Sequence, residues 1–135
     1  MGTQPLRQGG RGQDTAAPST KARGDAAEDQ ALRWLQARGL RLLHRNYRTP
    51  GRGGGEIDLI MQAADGTVVF VEVRQRSRND FGGAAASITA VKRQRIIRAA
   101  HHYLLRWRNL PPTRFDVVTL DAGALQWLQA AFTAD

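Results

Sequence analysis

Two short apolar segments with charged residues at alternate positions constrain this fold more than any other part of the sequence. The segments are Gly-Glu-Ile-Asp-Leu-Ile at 55–60 and Val-Phe-Val-Glu-Val-Arg at 69–74, with Asp65-Gly66 between them. Apolar runs of this length on either side of a turn dipeptide predict a β-hairpin with strands Glu56–Gln62 and Thr67–Arg74. Because alternate side chains share one face of a strand, each strand places two of its charged residues side by side.

The length of the connecting loop decides whether the acidic residues of the two strands meet. A two-residue turn would put Asp58 and Glu72 on opposite faces of the hairpin. A three-residue loop, Ala64-Asp65-Gly66, instead pairs Asp58 with Glu72 and Glu56 with Arg74, and Gly66 can adopt the left-handed conformation that such a loop needs. Burial patterning favours this second register, because it gathers the aliphatic residues on one apolar face with the charges on the other. Those aliphatic residues are Ile57, Leu59, Met61, Val69, Val71 and Val73.

Asp58 and Glu72 repel each other when they face across a β-ladder, so a positive group must compensate. Ligation by carboxylates and water suits Mg²⁺ or Mn²⁺, and such an ion can activate a water and neutralise charge on a phosphodiester. The alternative is a solvated charged face that is closed by an ion pair between Glu56 and Arg74. The occurrence of both charged pairs on facing strands, beside a basic helix, favours the metal site.

Two residues outside the hairpin extend the candidate site. Glu28 shares a helical stripe with Leu32 and Leu35, so it projects toward the protein. Lys92 falls within the apolar stripe of a second helix and in its first turn, where the helix dipole disfavours a cation. Two explanations stay open: Lys92 has an anionic partner, or its aliphatic stem lies across the edge of the core and its ammonium reaches water.

The remaining pattern predicts one α/β domain over residues 25–135, with the element order α-β-β-β-α-β-β and a mixed sheet flanked by helices. The other predicted elements are helices Asp25–Arg38 and Ile88–Arg108, an irregular strand Leu40–Arg48, a loop Thr49–Gly55, a mobile connection Arg76–Ala86, and a hairpin of Arg114–Leu120 and Ala124–Phe132. Residues 1–24 are predicted to be a disordered basic tail, because their few large apolar side chains cannot offset the entropy of ordering them.

The charge distribution predicts a polyanionic partner. The formal net charge is +8, and no acidic residue occurs between Phe81 and Arg114. The residues expected to contact nucleic acid are Arg93, Arg95, Arg98, Arg106 and Arg108. A solvated helix face on an arginine-rich protein is the alternative. The chain has no cysteine and no segment of signal-peptide or membrane-span character, which suits the cytoplasm and predicts no membrane partner.

Several of these motifs together carry a resemblance to a known family. They are Glu28 with Ala31 and Leu35, Asn46-Tyr47-Arg48, residues 55–60, Val71-Glu72-Val73, Lys92, Tyr103-Leu104 and Phe115-Asp116-Val117-Val118. The chain resembles the PD-(D/E)XK nucleases, whose restriction endonuclease-like core carries Asp and Glu-x-Lys on adjacent strands. It more closely resembles the YraN-like family of small bacterial proteins, which is similar to the archaeal Holliday-junction resolvases. The resemblance extends from Gly24 to Phe132, and it implies that Asp58 and Glu72 are metal ligands and Glu28 an accessory acid.

Arg74 departs from the Glu-x-Lys pattern of the PD-(D/E)XK nucleases, which has lysine at its position. Arginine keeps the positive charge and can stabilise a transition state, but it cannot act as a base. Either Lys92 supplies the missing amine, or cleavage is weak, or the protein only binds.

The leading hypothesis is an Mg²⁺- or Mn²⁺-dependent endonuclease acting on DNA, including branched or damaged structures in repair or recombination. A nucleic-acid-binding module without chemistry and an RNA-binding or assembly protein are the alternatives, and a homodimer stays open.

Overall fold

The computed structural model describes residues 19–75 and 88–134, and there the predicted α/β class and the order α-β-β-β-α-β-β are confirmed. The elements are α1 (Thr20–Ala37), β1 (Arg41–Arg48), β2 (Glu56–Gln62), β3 (Val68–Gln75), α2 (Ala90–Leu104), β4 (Thr113–Asp121) and β5 (Ala124–Phe132). The strands form one sheet in the order β1-β2-β3-β4-β5, in which β3 and β4 are parallel and the other neighbours antiparallel. The predicted connection Arg76–Ala86 lies outside the described residues.

Helix α1 begins at Thr20, before the predicted start at Asp25. The reason is an N-cap: the Ser19 hydroxyl accepts a hydrogen bond from Ala22 N at 3.1 Å. Residues 20–24 therefore belong to a helix and not to the tail predicted over residues 1–24. Residues 1–18 lie outside the described part of the chain.

Helix α2 is shorter at both ends than the predicted helix over residues 88–108. It begins at Ala90 because the Thr89 hydroxyl accepts a hydrogen bond from Lys92 N at 3.1 Å. It ends at Leu104, where the Arg106 side chain donates to the Tyr103 carbonyl at 2.9 Å and so satisfies one of the last helical carbonyls.

The two helices cover opposite faces of the sheet. On the α1 side, Ala31 and Leu35 pack with a cluster of strand residues that comprises Leu59, Met61, Val69 and Val71. On the α2 side, Ile96 and Tyr103 pack with Ile57, Ile60, Val68 and Phe70. The prediction of one apolar and one charged face for the hairpin was thus wrong, and Ile57 lies on the α2 side. The second face is also apolar because the parallel strands β3 and β4 need a crossover connection, which here places α2 over that face.

The hairpin between β2 and β3 has the predicted three-residue loop. Ala63 N donates to Thr67 O at 2.9 Å, and Gly66 has a φ of 93°. Regular pairing runs from Gln62 with Val68 to Leu59 with Val71, and it ends there. The two strands therefore separate next to the position where the same register would pair Asp58 with Glu72.

Candidate active site

Asp58 occupies the opening where β2 and β3 separate. Its Oδ2 accepts a hydrogen bond from Val73 N at 2.8 Å. In a regular antiparallel ladder, bonded pairs recur at every second residue, so this N–H would otherwise point to the Ile57 carbonyl. The carboxyl group of Asp58 thus takes the place of a main-chain partner at the open end of the hairpin, and Ile57 turns to the α2 side.

The carboxyl groups of Asp58 and Glu72 are adjacent, as the register predicts. They are near enough that the charge of Glu72 acts on Asp58, and Glu72 is only 4% exposed. Burial, and after it the charge of Glu72, raises the pKa of Asp58 to about 7. Two acidic groups in one poorly solvated place favour either a shared proton or a nearby cation.

Lys92 supplies one such cation. Its Nζ lies 3.1 Å from Glu72 Oε2, and 43% of its side chain is exposed. Of the two explanations for its position, the anionic partner is therefore the one found. Because Thr89 caps α2 three residues earlier, Lys92 lies in the first turn, and the ion pair with Glu72 offsets the unfavourable helix dipole.

Glu28 approaches the same place from α1. Burial raises the pKa of Glu28 and the charge of Asp58 raises it further, whereas Arg45 acts in the opposite direction. The Arg45 guanidinium lies 3.4 Å from Glu28 Oε1 and 2.6 Å from Asp29 Oδ1, and it donates to Asp25 O at 3.2 Å. Arg45 therefore fixes the start of α1 to β1 and holds Glu28 beside Asp58. The sequence analysis missed Arg45, although a basic residue at an alternate position between Leu43 and Tyr47 is a signal for a partner on a neighbouring element.

A cavity of about 340 Å³, which we call the carboxylate cavity, joins these groups. Its charged lining residues are Glu28, Asp58, Glu72, Arg74 and Lys92, and its other lining residues are Gly24, Ala27, Val73 and Gln75. The structure thus brings together every residue that the sequence analysis proposed for catalysis.

A solvated charged face would pair Glu56 with Arg74, and the described residues do not contain this ion pair. Glu56 Oε2 lies 3.7 Å from the Arg48 guanidinium, and Arg74 forms no ion pair with any residue of the described ranges 19–75 and 88–134. Arg74 therefore faces the carboxylate cavity with its charge available to an anion.

The donor set of the cavity suits a hard divalent cation. Asp58 and Glu72 offer carboxylate oxygens, and within the described residues no group of three His, Cys, Asp or Glu side chains forms an all-protein cage. Zinc usually has three or four nitrogen and sulfur ligands, whereas Mg²⁺ is commonly held by one or two carboxylates and keeps several waters. The residues present therefore fit Mg²⁺ or Mn²⁺ bound by Asp58 and Glu72.

The five arginines predicted to contact nucleic acid do not form one surface. Arg93 extends toward the Phe132 ring at 5.9 Å, and Arg106 stacks on the Tyr103 ring at 3.8 Å. Arg108 is exposed beyond the end of α2. Arg95 and Arg98 lie instead beside the loop between β1 and β2.

Asp116 is a second buried acid, and the sequence analysis assigned it no role. It is fully buried, and its carboxylate accepts hydrogen bonds from Arg114 at 2.8 and 3.0 Å, from Trp127 Nε1 at 2.9 Å and from Ala130 N at 2.9 Å. With four donors in place, this carboxylate fastens β5 to β4. An arginine two residues before an aspartate on one strand is the signal that could have indicated such a pair.

The fold and the site together define a small mixed α/β protein in which two adjacent carboxyl groups and an ammonium meet at the open end of a β-hairpin. Residues 27–120 match the family described as "Uncharacterised protein family UPF0102". A UPF0102 protein of Albidiferax ferrireducens is 68% identical over 120 residues, which cover 89% of this chain and 94% of that relative. A UPF0102 protein of Paracidovorax citrulli is 60% identical over 134 residues, which cover 99% of each chain. The chain belongs to the UPF0102 family, in agreement with its resemblance to YraN-like proteins.

Neither helix in the described part of the chain is long and apolar enough to cross a membrane.

Proposed function

We propose that this protein is a metal-dependent nuclease that hydrolyses phosphodiester bonds of DNA in the cytoplasm. The observation that carries the proposal is the adjacency of Asp58 and Glu72 at the open end of a hairpin, with Lys92 Nζ 3.1 Å from Glu72. A purely structural cluster would neutralise its charges internally. Here two carboxyl groups share one close cation and face a cavity that solvent can enter.

Asp58 and Glu72 would hold Mg²⁺ or Mn²⁺, with water completing the coordination shell. When bound, such an ion activates a water and neutralises charge on the phosphate. The Lys92 ammonium can donate a hydrogen bond to a non-bridging phosphate oxygen, and as an amine it can also accept a proton from the attacking water. Arg74 can donate to the same phosphate but cannot take up a proton.

Glu28 completes the group as an accessory acid. Its carboxyl faces Asp58 and is held in place by Arg45 at 3.4 Å. A carboxyl with a raised pKa can remain protonated closer to neutral pH, so it can donate to an oxygen that gains charge during the reaction.

DNA is proposed as the substrate for two reasons. The formal net charge of +8 suits a polyanion, and the resemblance to Holliday-junction resolvases favours branched or damaged DNA over RNA. A homodimer that presents two such sites would suit a branched substrate.

The proposal is tested by incubating the purified protein with four-way junction, flap, single-stranded and linear duplex DNA, in Mg²⁺, Mn²⁺ or chelator. We expect cleavage of at least one substrate with a divalent ion and none with chelator. Asp58→Asn should abolish cleavage, whereas the control Asp121→Asn, which removes an exposed acid at the end of β4 outside the carboxylate cavity, should cut like the parent. Cleavage by Asp58→Asn at the parental rate would refute the site.

A second candidate function is nucleic-acid binding without cleavage. The observation that favours it is Arg74, which occupies the place of the lysine in the PD-(D/E)XK pattern and cannot act as a base as lysine can. In that case the protein binds DNA equally with and without divalent ions and forms no product from any substrate. Tighter binding to structured RNA than to any DNA would instead indicate an RNA-binding or assembly role.

A further inference from the structure

The loop between β1 and β2 is closed on itself and fixed against α2. Thr49 N donates to Gly55 O at 3.0 Å, and Gly55 N donates to Thr49 Oγ1 at 2.6 Å. A Cβ on Gly55 would lie 1.8 Å from the Arg95 carbonyl oxygen, so only glycine allows the loop to approach the helix this closely. The Arg98 guanidinium also donates to Gly53 O. The loop is therefore a preformed wall that faces α2.

A second cavity, of about 410 Å³, lies between this loop and α2, and we call it the loop cavity. Its basic lining residues are Arg48, Lys92 and Arg95. Glu56 is the acidic residue among its described lining residues, and it lies 3.7 Å from Arg48 in a pair whose side chains are 48% and 74% exposed. Arg48 is paired with Glu56, and Lys92 is paired with Glu72 of the carboxylate cavity, whereas Arg95 forms no ion pair with a described residue. The loop cavity therefore carries a net positive charge and attracts anions.

Lys92 connects the loop cavity to the carboxylate cavity, because its side chain lines both. Only the Lys92 side chain therefore separates an anion in the loop cavity from Asp58 and Glu72. A polymer with a phosphate at every residue can occupy both cavities at once, whereas a single small anion can occupy only one of them.

We propose that the loop cavity binds the phosphodiester backbone of the nucleic acid strand, next to the phosphate that lies at Asp58 and Glu72. Arg95 holds a phosphate through the planar fork of its guanidinium, which matches phosphate oxygens. A volume of about 410 Å³ lies within the range of cavities that bind small molecules, so a sugar–phosphate unit can enter it. The presence of a phosphate at Asp58 and Glu72 rests on the proposed function. The charge and shape of the loop cavity do not depend on it.

The test compares Arg95→Ala with Arg33→Ala, which removes the same charge from an exposed position on α1 that lines neither cavity. Binding of fluorescein-labelled single-stranded and duplex DNA is measured in chelator over a series of salt concentrations. Arg95→Ala should weaken binding to all DNA sequences alike and reduce the slope of log K against log salt by about one, whereas the control should match the parent. The increase in Tm caused by Mg²⁺ should be the same in all three proteins.

Thr49 tests the role of the loop itself. Thr49→Val removes the hydroxyl that accepts from Gly55 N while keeping the shape of the side chain, and Thr49→Ser keeps the hydroxyl. We expect weaker DNA binding for the valine variant and parental binding for the serine variant, in proteins whose circular dichroism spectra show that they are folded. Parental binding by Thr49→Val would overturn the assignment of the loop.

The outcomes separate this inference from the proposed function. Parental affinity and salt slope in Arg95→Ala, in a protein that still cleaves DNA, would overturn the inference and leave the nuclease proposal intact. Weakened binding in Arg95→Ala, in a protein that neither cleaves nor responds to Mg²⁺, would support the inference and refute the nuclease proposal. If inorganic phosphate displaced labelled DNA as effectively as an unlabelled oligonucleotide does, the site would be one for free anions and the inference would fall.

Discussion

Replacing Asp58 with asparagine should stabilise the metal-free protein and remove its response to Mg²⁺. Asparagine keeps an oxygen that can accept the hydrogen bond from Val73 N, which is 2.8 Å long in the parent. It removes a negative charge that is unfavourable first because it is buried and then because it lies beside Glu72. The exchange thus deletes an unfavourable interaction and one metal ligand while changing the packing very little.

The magnitude follows from the pKa of Asp58, which rises from 3.8 to about 7 in the folded protein. Three pKa units correspond to about 4 kcal/mol for a fully shielded carboxyl. Because Asp58 faces an open cavity, water and salt reduce this, and we expect a gain of about 1–2 kcal/mol at pH 8. A folded-state pKa above the unfolded value means that the folded chain binds the extra proton, so the parent loses stability as pH rises from about 4 to about 7. The gain from Asp58→Asn should therefore be near zero at pH 4 and largest above pH 7.

The measurements are urea unfolding, which gives the free energy of unfolding, and thermal unfolding, which gives the Tm. Both are made on the parent and on Asp58→Asn in chelator between pH 4 and 8, and repeated at pH 8 with Mg²⁺. At pH 8 the variant should unfold at a Tm about 4–8 °C higher in chelator. Mg²⁺ should raise the Tm of the parent and leave that of the variant unchanged, because a ligand stabilises only a state that binds it. Asp121→Asn is the control: this exposed acid at the end of β4 lies outside the carboxylate cavity, so the variant should match the parent in stability and still respond to Mg²⁺.

Two results would refute this reasoning. If Asp58→Asn were less stable than the parent at pH 8 in chelator, the acidic pair would be a net stabilising contact and not a repulsive one. If Mg²⁺ raised the Tm of both proteins equally, the ion would bind elsewhere.

Three further predictions concern other parts of the molecule. In a cleavage assay, Lys92→Ala should be less active than Arg74→Lys. Arg74→Lys should match or exceed the parent, because lysine restores an amine that can exchange a proton. An equal loss of activity in both variants would contradict this. DNA affinity should fall roughly 10²-fold between 50 and 200 mM salt if about four cations contact phosphates, and a flat salt dependence would exclude the basic residues as the docking surface. Asp116→Asn should cost about 3–5 kcal/mol in urea unfolding because Arg114 loses its buried partner, whereas Asp121→Asn, at an exposed turn, should be neutral.

The hairpin and its acidic pair could be predicted because the signals are local. Gly66 allows the three-residue loop, and the loop length fixes whether Asp58 meets Glu72, although the single apolar face that favoured this register is not found. Lys92 could also be singled out, because a cation at the start of a helix within an apolar stripe conflicts with two local rules at once. The structure resolves that conflict with a partner on β3.

The parts that could not be predicted depend on contacts between distant elements. Arg45 joins α1 to β1, and Asp116 joins β4 to β5, and neither partner set follows a sequence period. The face that Ile57 adopts depends on the separation of the two strands at Asp58, which a regular alternation cannot express. The start of α1 was missed because Ser19, its cap, precedes the apolar pattern that identifies the helix.

The hydrogen bonds of Asp116 that join β4 to β5 also affect how the edge of the sheet can pair with other chains. In the described sheet β5 is an edge strand, and such a strand can template the addition of another chain through its free main-chain groups. Where Asp116 accepts from Ala130 N, the register of β4 with β5 shifts, and Ala130 has a φ of 51°. The resulting bulge interrupts the row of N–H and C=O groups that an incoming strand would need. The buried carboxylate of Asp116 therefore makes edge strand β5 a poor template for aggregation into fibrils.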